Sequence, residues 1–347
     1  STRNAAGGGF SPAIRNTIDY VTTATTGNAT DFGDLSLAGL APTGLSNSRI
    51  GLFLGRGTPT LSDTVDKITI TTTGDAADFG DLSRATNFAA SASAGHGGLE
   101  SDVTQRPSVT YMPGSGRSLF CGGNDGTSGR TYIDLIHIPT LGNASDFGDL
   151  TQGTSNGGAI GSNLIKSVSY GGYAGGSSPY HTNVIQQTFF ATQGNSSDFG
   201  DTVFLAYGRG YGAVGSNTRG VFAGGYVAAS PHIQDAIDYI TFATTGDGTD
   251  FGDLTGVTQI PANFSSNTRG CFGGGSAPSL LDKIDYITIA STGDASDFGD
   301  LSGASSQIGG TGSSVRGVFG GGGTPGAVNI IEYVTIASTG DVTDFGD

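Results

Sequence analysis

The chain has no tryptophan, one methionine, two cysteines and only three lysines in 347 residues. Twelve arginines and those lysines face 30 acids, for a formal net charge of −15. A surface of that sign repels phosphates, so nucleic acid is not an expected partner. The charge favours solubility and tolerates a salty medium, where screening shortens the repulsion. Cys121 and Cys271 occupy similar places in distant parts of the chain. They are not expected to pair, so cysteine usage does not indicate a compartment. No apolar run approaches the ~18–20 residues of a membrane helix, and no stretch has a helical apolar period. No secretory leader is visible and residue 1 is Ser, so the expectation is a processed chain or a segment of something larger.

Glycine is the opposite case, with 62 residues against an ordinary ~7%. Such a composition can signal disorder. The 35% hydrophobic share, however, includes Ile, Val and Phe at regular places, which disordered chains lack.

That regularity is a repeat. The tetrapeptide DFGD begins at Asp31, Asp78, Asp146, Asp198, Asp250, Asp297 and Asp344. Ahead of each lies an alternating stretch such as TIDYVTT, KIDYITI or IIEYVTI. β-Branched and aromatic residues at period two predict strands. Between stretch and tetrapeptide stands TGD or TGN, a turn signal. Further upstream is a third phrase: RNAAGGG, RIGLFLG, RSLFCGG, RGVFAGG, RGCFGGG and RGVFGGG, with SVSYGGY as the degenerate fourth copy. A small-residue stretch such as LSGASSQIGGTGSS joins DFGD to it.

One unit therefore predicts four short strands: a (small residues), b (the glycine phrase), c (the alternating stretch) and d (DFGDL). Four strands at a period near 50, seven times over, predict an all-β, seven-bladed β-propeller. An open β-solenoid is the weaker alternative. The whole chain is read as one propeller, with blades at approximately 1–34, 35–81, 82–149, 150–201, 202–253, 254–300 and 301–347.

The unit resembles the kelch repeat. Gly273–Gly275 stand at the double glycine closing strand b, Tyr286 at the strand-c aromatic, and Phe298 with Leu301 at the final pair. Phe replaces the usual Trp, so the likeness is kelch-like rather than kelch proper. The wording "RGVFGGG…IDYITIASTGDASDFGDL" also resembles tandem repeats in uncharacterised structural proteins of marine phages, cyanophages among them. That resemblance implies a virion setting and is silent on activity.

Each repeated residue has an expected task. Small residues of strand a line a crowded channel. The glycines closing strand b take positive φ or admit a neighbouring blade. Ile and Val of strand c, with Phe32, Phe79, Phe147, Phe199, Phe251, Phe298 and Phe345 of DFGD, fill the space between blades. Burying one such side chain contributes roughly 1.5–3 kcal/mol.

Fourteen of the thirty acids lie in DFGD. Asp294, Asp297 and Asp300 form a D-x-x-D-x-x-D array, and clustered oxygens suit calcium. The spacing is not that of an EF-hand or an RTX repeat. The first position alternates between Asp and Asn (Asn28, Asp75, Asn143, Asn195, Asp247, Asp294, Asp341), as turn capping prefers. Arg3, Arg49, Arg117, Arg219, Arg269 and Arg316 open strand b. The a–b and c–d turns share a face, so a structural Arg–Asp lattice is the expected use of these charges, ahead of calcium. No cofactor is expected.

Deviations from the repeat are where a binding site is expected. One is an extra ~20-residue loop within residues 94–116. The other is a tyrosine concentration: Tyr170, Tyr173, Tyr180, Tyr207 and Tyr211, accompanied by His181 and Arg209. Exposed aromatics with Arg suit carbohydrate stacking or a protein contact. The competing expectation, slightly favoured, is that these tyrosines fill gaps where the consensus Phe is missing.

His96, His137, His181 and His232 share no metal-ligand spacing, and no nucleophile elbow or phosphate loop is present. No catalytic residue is assigned. The expected function is a non-enzymatic structural or binding module, in a virion tail, fibre or capsid-associated position, contacting other virion proteins or a host glycan. Alternatives are a secreted adhesin or matrix protein, and a propeller-type carbohydrate-active enzyme. The setting is virion or extracellular, without a membrane span. Finally, seven b, c and d strands are present but only six a strands lie between them. The inner strand of blade 1 is expected to come from a neighbouring segment or subunit.

Overall fold

A computed structural model describes all residues except 1–2, 11, 48, 58–59, 94–115, 126–128, 155–158, 164, 173–181, 204–205, 208–211, 228–230, 260 and 325. Seven antiparallel sheets are arranged as the blades of a propeller, and no helix occurs among the described residues. Blade 6 illustrates the unit: Ala262–Ser265 (a), Arg269–Gly273 (b), Lys283–Thr288 (c) and Ser296–Asp300 (d), paired in that order. Blades 2, 3, 4, 5 and 7 repeat it, starting on inner strands Thr43–Ser46, Ala90–Ser93, Ala159–Ser162, Gly212–Gly215 and Gly309–Gly312. Blade 1 has three strands: Arg3–Gly7, Thr17–Thr22 and Thr30–Asp34.

Small residues let successive inner strands lie side by side from blade 2 to blade 7. The glycine pair after strand b turns the chain. Gly274 and Gly275 take φ of 66° and 96°, a region that glycine enters without steric cost. Gly273 admits the Phe319 ring of the next blade, which a Cβ would overlap.

Between strands c and d every blade carries a β-bulge. In blade 6 the register passes from Ile284↔Gly299 to Asp285↔Asp297, leaving Phe298 unopposed. A bulge re-aims a side chain, and here the ring points into the space between blades. All seven DFGD phenylalanines are buried, at 2–4% exposure.

Six buried apolar clusters follow, one each for the 1–2, 2–3, 3–4, 4–5, 5–6 and 6–7 contacts. At the 6–7 contact Cys271, Ile284, Phe298 and Leu301 of one blade meet Phe319, Val334 and Ile336 of the next. The ring closes between blades 7 and 1: Gly27 N–H donates to the Phe345 carbonyl at 2.6 Å, and Ala29 N–H to that of Asp347 at 2.7 Å.

Candidate functional site

DFGD and the Gly-Asp or Gly-Asn turn form one device at each contact between blades. The turn glycine donates its N–H to the DFGD phenylalanine carbonyl of the preceding blade, as Gly293 does to Phe251 at 2.7 Å. Two residues on, Ala295 donates to the Asp253 carbonyl at 2.7 Å. The side chain between them completes the clasp: Asp294 Oδ1 accepts the Asp253 N–H at 3.1 Å. The same three bonds recur at all seven contacts, with Asp75, Asn143, Asn195, Asp247, Asp294, Asp341 and Asn28 as acceptors. Asp and Asn alternate because only an acceptor oxygen is needed.

The glycine of DFGD makes the clasp possible. Gly299 has φ 145°, and a Cβ there would overlap the backbone of Gly340 and Asp341. The first DFGD aspartate holds this conformation by accepting an N–H two residues on, as Asp297 Oδ1 does from Gly299 at 3.2 Å.

The arginines opening strand b do not form the expected lattice with these acids. Arg3, Arg219, Arg269 and Arg316 lie over Tyr20, Tyr239, Tyr286 and Tyr333, with guanidinium carbons 4.3–4.5 Å from the ring centres. Each tyrosine meets its DFGD phenylalanine edge-on at 5.8 Å. The guanidinium then donates onward to a carbonyl of the next blade: Arg3 to Ile70, Arg219 to Ile289, Arg269 to Ile336 and Arg316 to Thr23. Arg117 does the same toward Phe190, at 2.7 Å. The ring face attracts the cation and the carbonyl accepts one of its N–H groups, so the guanidinium is satisfied without an acid. Arg49 stands outside the series. The register aligns Ile50, not Arg49, with Arg269, and Arg49 is exposed.

A second row of polar side chains was not anticipated. On strand c, Asp66, Asp134, Gln186, Asp285 and Glu332 are buried and accept the N–H of Ser36, Ser83, Thr151, Thr255 and Ser302, each in the segment that leads from the DFGD of the preceding blade into the inner strand. Burial pushes the Asp134 carboxyl upward. It pushes Asp238, in the same row, up to about 6, helped by the charge of Asp250 and opposed by a backbone bond from Val203. Asp66 also pairs with the fully buried Arg56 at 2.8 Å, where blade 2 reads GRG in place of the glycine doublet. The alternating pattern IDYITI hides this row: its Asp shares a face with Ile287 and Ile289, both buried, and a carboxylate is not expected there without a visible cationic partner.

Asp294, Asp297 and Asp300 do not converge. Two of them serve separate backbone amides, and Asp300 is raised by burial and by Asp282, Asp341 and Asp297. No grouping of three acids, histidines or cysteines suited to a metal occurs among the described residues. Cys121 and Cys271 are both free thiols, pushed up to about 12 by burial, which keeps them neutral and poorly nucleophilic.

Of the tyrosine concentration, Tyr170 is buried and lies 3.8 Å from the Phe222 ring centre. It fills the contact between blades 4 and 5. Tyr207 belongs to a short ribbon in which Ala206–Tyr207 pairs with Tyr226–Val227. Tyr173, Tyr180, His181, Arg209 and Tyr211 lie outside the described residues, as do His96 and all but the last residue of the 94–116 loop. His137 bonds Thr140, and His232 stacks on Tyr226 at 5.2 Å. Among the described residues no helix is long and apolar enough to cross a membrane.

No protein-family model matches the chain, and no curated protein matches it.

Proposed function

We propose that the protein is a non-catalytic structural and binding module: a rigid ring whose repeated residues build the scaffold and whose variable loops make the contacts. One observation carries this. The repeated acids and arginines, the residues most suited to chemistry, already serve as acceptors and donors between blades. A group engaged in such bonds serves the fold, and its polar atoms are already partnered there. The variable segments, the tyrosine concentration and the 94–116 loop, interrupt the repeat without altering the clasp on either side.

The kelch-like wording of the repeat, and its likeness to structural proteins of marine phages, favour a virion tail, fibre or capsid-associated position. There the ring contacts other virion proteins or a host surface glycan. A gene neighbourhood without capsid and tail genes would count against that setting. The module itself is tested by a glycan array combined with a reducing-end assay on the bound glycans. Binding without product release, weakened by Tyr180→Ala or Tyr211→Ala, is the expected result for a glycan contact. Release of sugar would replace the module with a carbohydrate-active enzyme.

A further inference from the structure

We infer that the ribbon standing on blade 5 is a glycan subsite, with the Tyr226 and His232 rings as a flat platform for a neutral sugar; this rests on the glycan contact proposed above and gives it residues and a ligand class.

A repeated feature with one exception points there. In each of five blades, the segment running from DFGD to the inner strand pairs with the loop between strands b and c. The bridges are Leu40↔Gly57 in blade 2, Asn87↔Asn124 in blade 3, Gln259↔Ser276 in blade 6 and Ser306↔Gly323 in blade 7. In blade 5 the matching pair is Tyr207↔Tyr226. Of the five described ribbons, only this one sets two aromatic residues opposite each other. The other four show that the ribbon forms without a ring, so the rings of blade 5 are not a requirement of the scaffold.

The chain then folds back once more. Tyr226 bridges Ile233, and Val227 N–H donates to the His232 carbonyl at 2.6 Å. This brings in His232, which lies outside the tyrosine concentration of the sequence. Its ring is parallel to that of Tyr226, at 8° with centres 5.2 Å apart. His232 is exposed and Tyr226 half-buried. His232 Nδ1 lies 3.1 Å from the Val227 carbonyl. A carbonyl only accepts, so Nδ1 carries the hydrogen, and in the uncharged ring Nε2 is then an acceptor. Nε2 has no partner among the described residues.

The backbone fixes this platform. Gly224 and Gly225 turn the chain at φ 69° and 106°. Gln234 N–H donates to the Gly225 carbonyl at 3.0 Å, and the Gln234 side-chain amide donates to the Pro231 carbonyl. Rings held in place before a ligand arrives lower the ordering cost of binding.

A pyranose ring offers an apolar face of C–H groups and hydroxyls around its edge. A flat aromatic face takes the first, and an acceptor nitrogen at the rim takes a hydrogen bond from the second. An apolar side chain of a protein would meet the ring face and make no use of Nε2. The net charge of −15 works against sialic and uronic acids, so the sugar is neutral.

The test applies the whole chain to an array of neutral and sialylated oligosaccharides, followed by titration of the strongest neutral hit. Binding to neutral glycans is expected. His232→Ala should weaken it about tenfold without changing Tm, since the ring is exposed. His232→Phe keeps a flat ring without Nε2 and should bind between the two. Tyr226→Ala should weaken binding at least as much as His232→Ala, and Ser276→Ala, at the matching place on blade 6, should not weaken it. Glycan binding that His232→Ala and Tyr226→Ala leave intact overturns the platform and leaves the glycan-binding module standing. Binding confined to sialylated glycans overturns the neutral class. No binding to any glycan overturns both the platform and the glycan contact. Sugar release from a hit that still weakens with His232→Ala supports the platform and overturns only the non-catalytic reading.

Discussion

The contact between blades 6 and 7 and the contact between blades 7 and 1 share their polar bonds and differ in their apolar filling. Both have a turn glycine bonded to a DFGD phenylalanine carbonyl, a following N–H bonded to the last aspartate, and a side-chain cap on that aspartate. Both have an arginine reaching across, Arg269 to Ile336 and Arg316 to Thr23. Only the first has an apolar cluster among the described residues. The polar clasp therefore sets the register and closes the ring, and hydrocarbon burial supplies most of the cohesion. The division follows from magnitudes. A net hydrogen bond contributes about 0.5–1.5 kcal/mol, and one buried phenylalanine or isoleucine roughly 1.5–3.

The largest expected effect comes from removing hydrocarbon at a filled contact. Phe319→Ala should cost about 3–5 kcal/mol by denaturant unfolding, since the ring is 1% exposed within the 6–7 cluster. Next is the clasp itself. Gly299→Ala forces a side chain into the backbone of Gly340 at positive φ and should cost about 3 kcal/mol. Gly346→Ala makes the same clash with Gly27. With no apolar cluster behind it, it should open the ring locally, read as faster exchange at Gly27 with a smaller change in global stability.

A pH effect separates the strand-c acids. Asp238 is raised in the fold to about 6 by burial. Below the unfolded value near 3.9 both states hold the proton and no penalty exists. As pH rises to about 6, the unfolded chain loses the proton first, so the fold is progressively destabilised, by up to about 3 kcal/mol. Thermal unfolding at pH 4 and 6.5 should show the decline, and Asp238→Asn should reduce it. The smallest effect is a gain. Ala6→Phe places the missing ring beside Gly320 and should stabilise by about 1 kcal/mol. A loss there would mean that the 7–1 contact is not short of filling.

The blade count and strand order were legible because they rest on two strong signals, a period-two pattern and the invariant tetrapeptide DFGD. The burial of the DFGD phenylalanines was legible for the same reason. The partners of the charges were not. Counting Arg against Asp suggests ion pairs, but Arg269 faces the Tyr286 ring at 4.4 Å, and charge balance cannot register an aromatic face. Arg49 misled because aligning phrases by their first letter hides a one-residue offset that only strand register reveals. The strand-c acids were missed because their partners are backbone amides, which every sequence contains. Gly299, next to the bulge, carries a conformational signal that was visible as a repeated glycine, and its use, close approach of the next blade, needed the closed ring.

Amide exchange at the turn between strands c and d of blade 1 tests the central claim most directly. If DFGD and TGN clasp blade 7 to blade 1, then Gly27 and Ala29, bonded to Phe345 and Asp347, should be protected as Gly293 and Ala295 are at the 5–6 contact. Exchange of Gly27 and Ala29 at the rate of an unstructured turn, with Gly293 and Ala295 protected, would mean an open array of blades and would contradict the closed seven-membered ring.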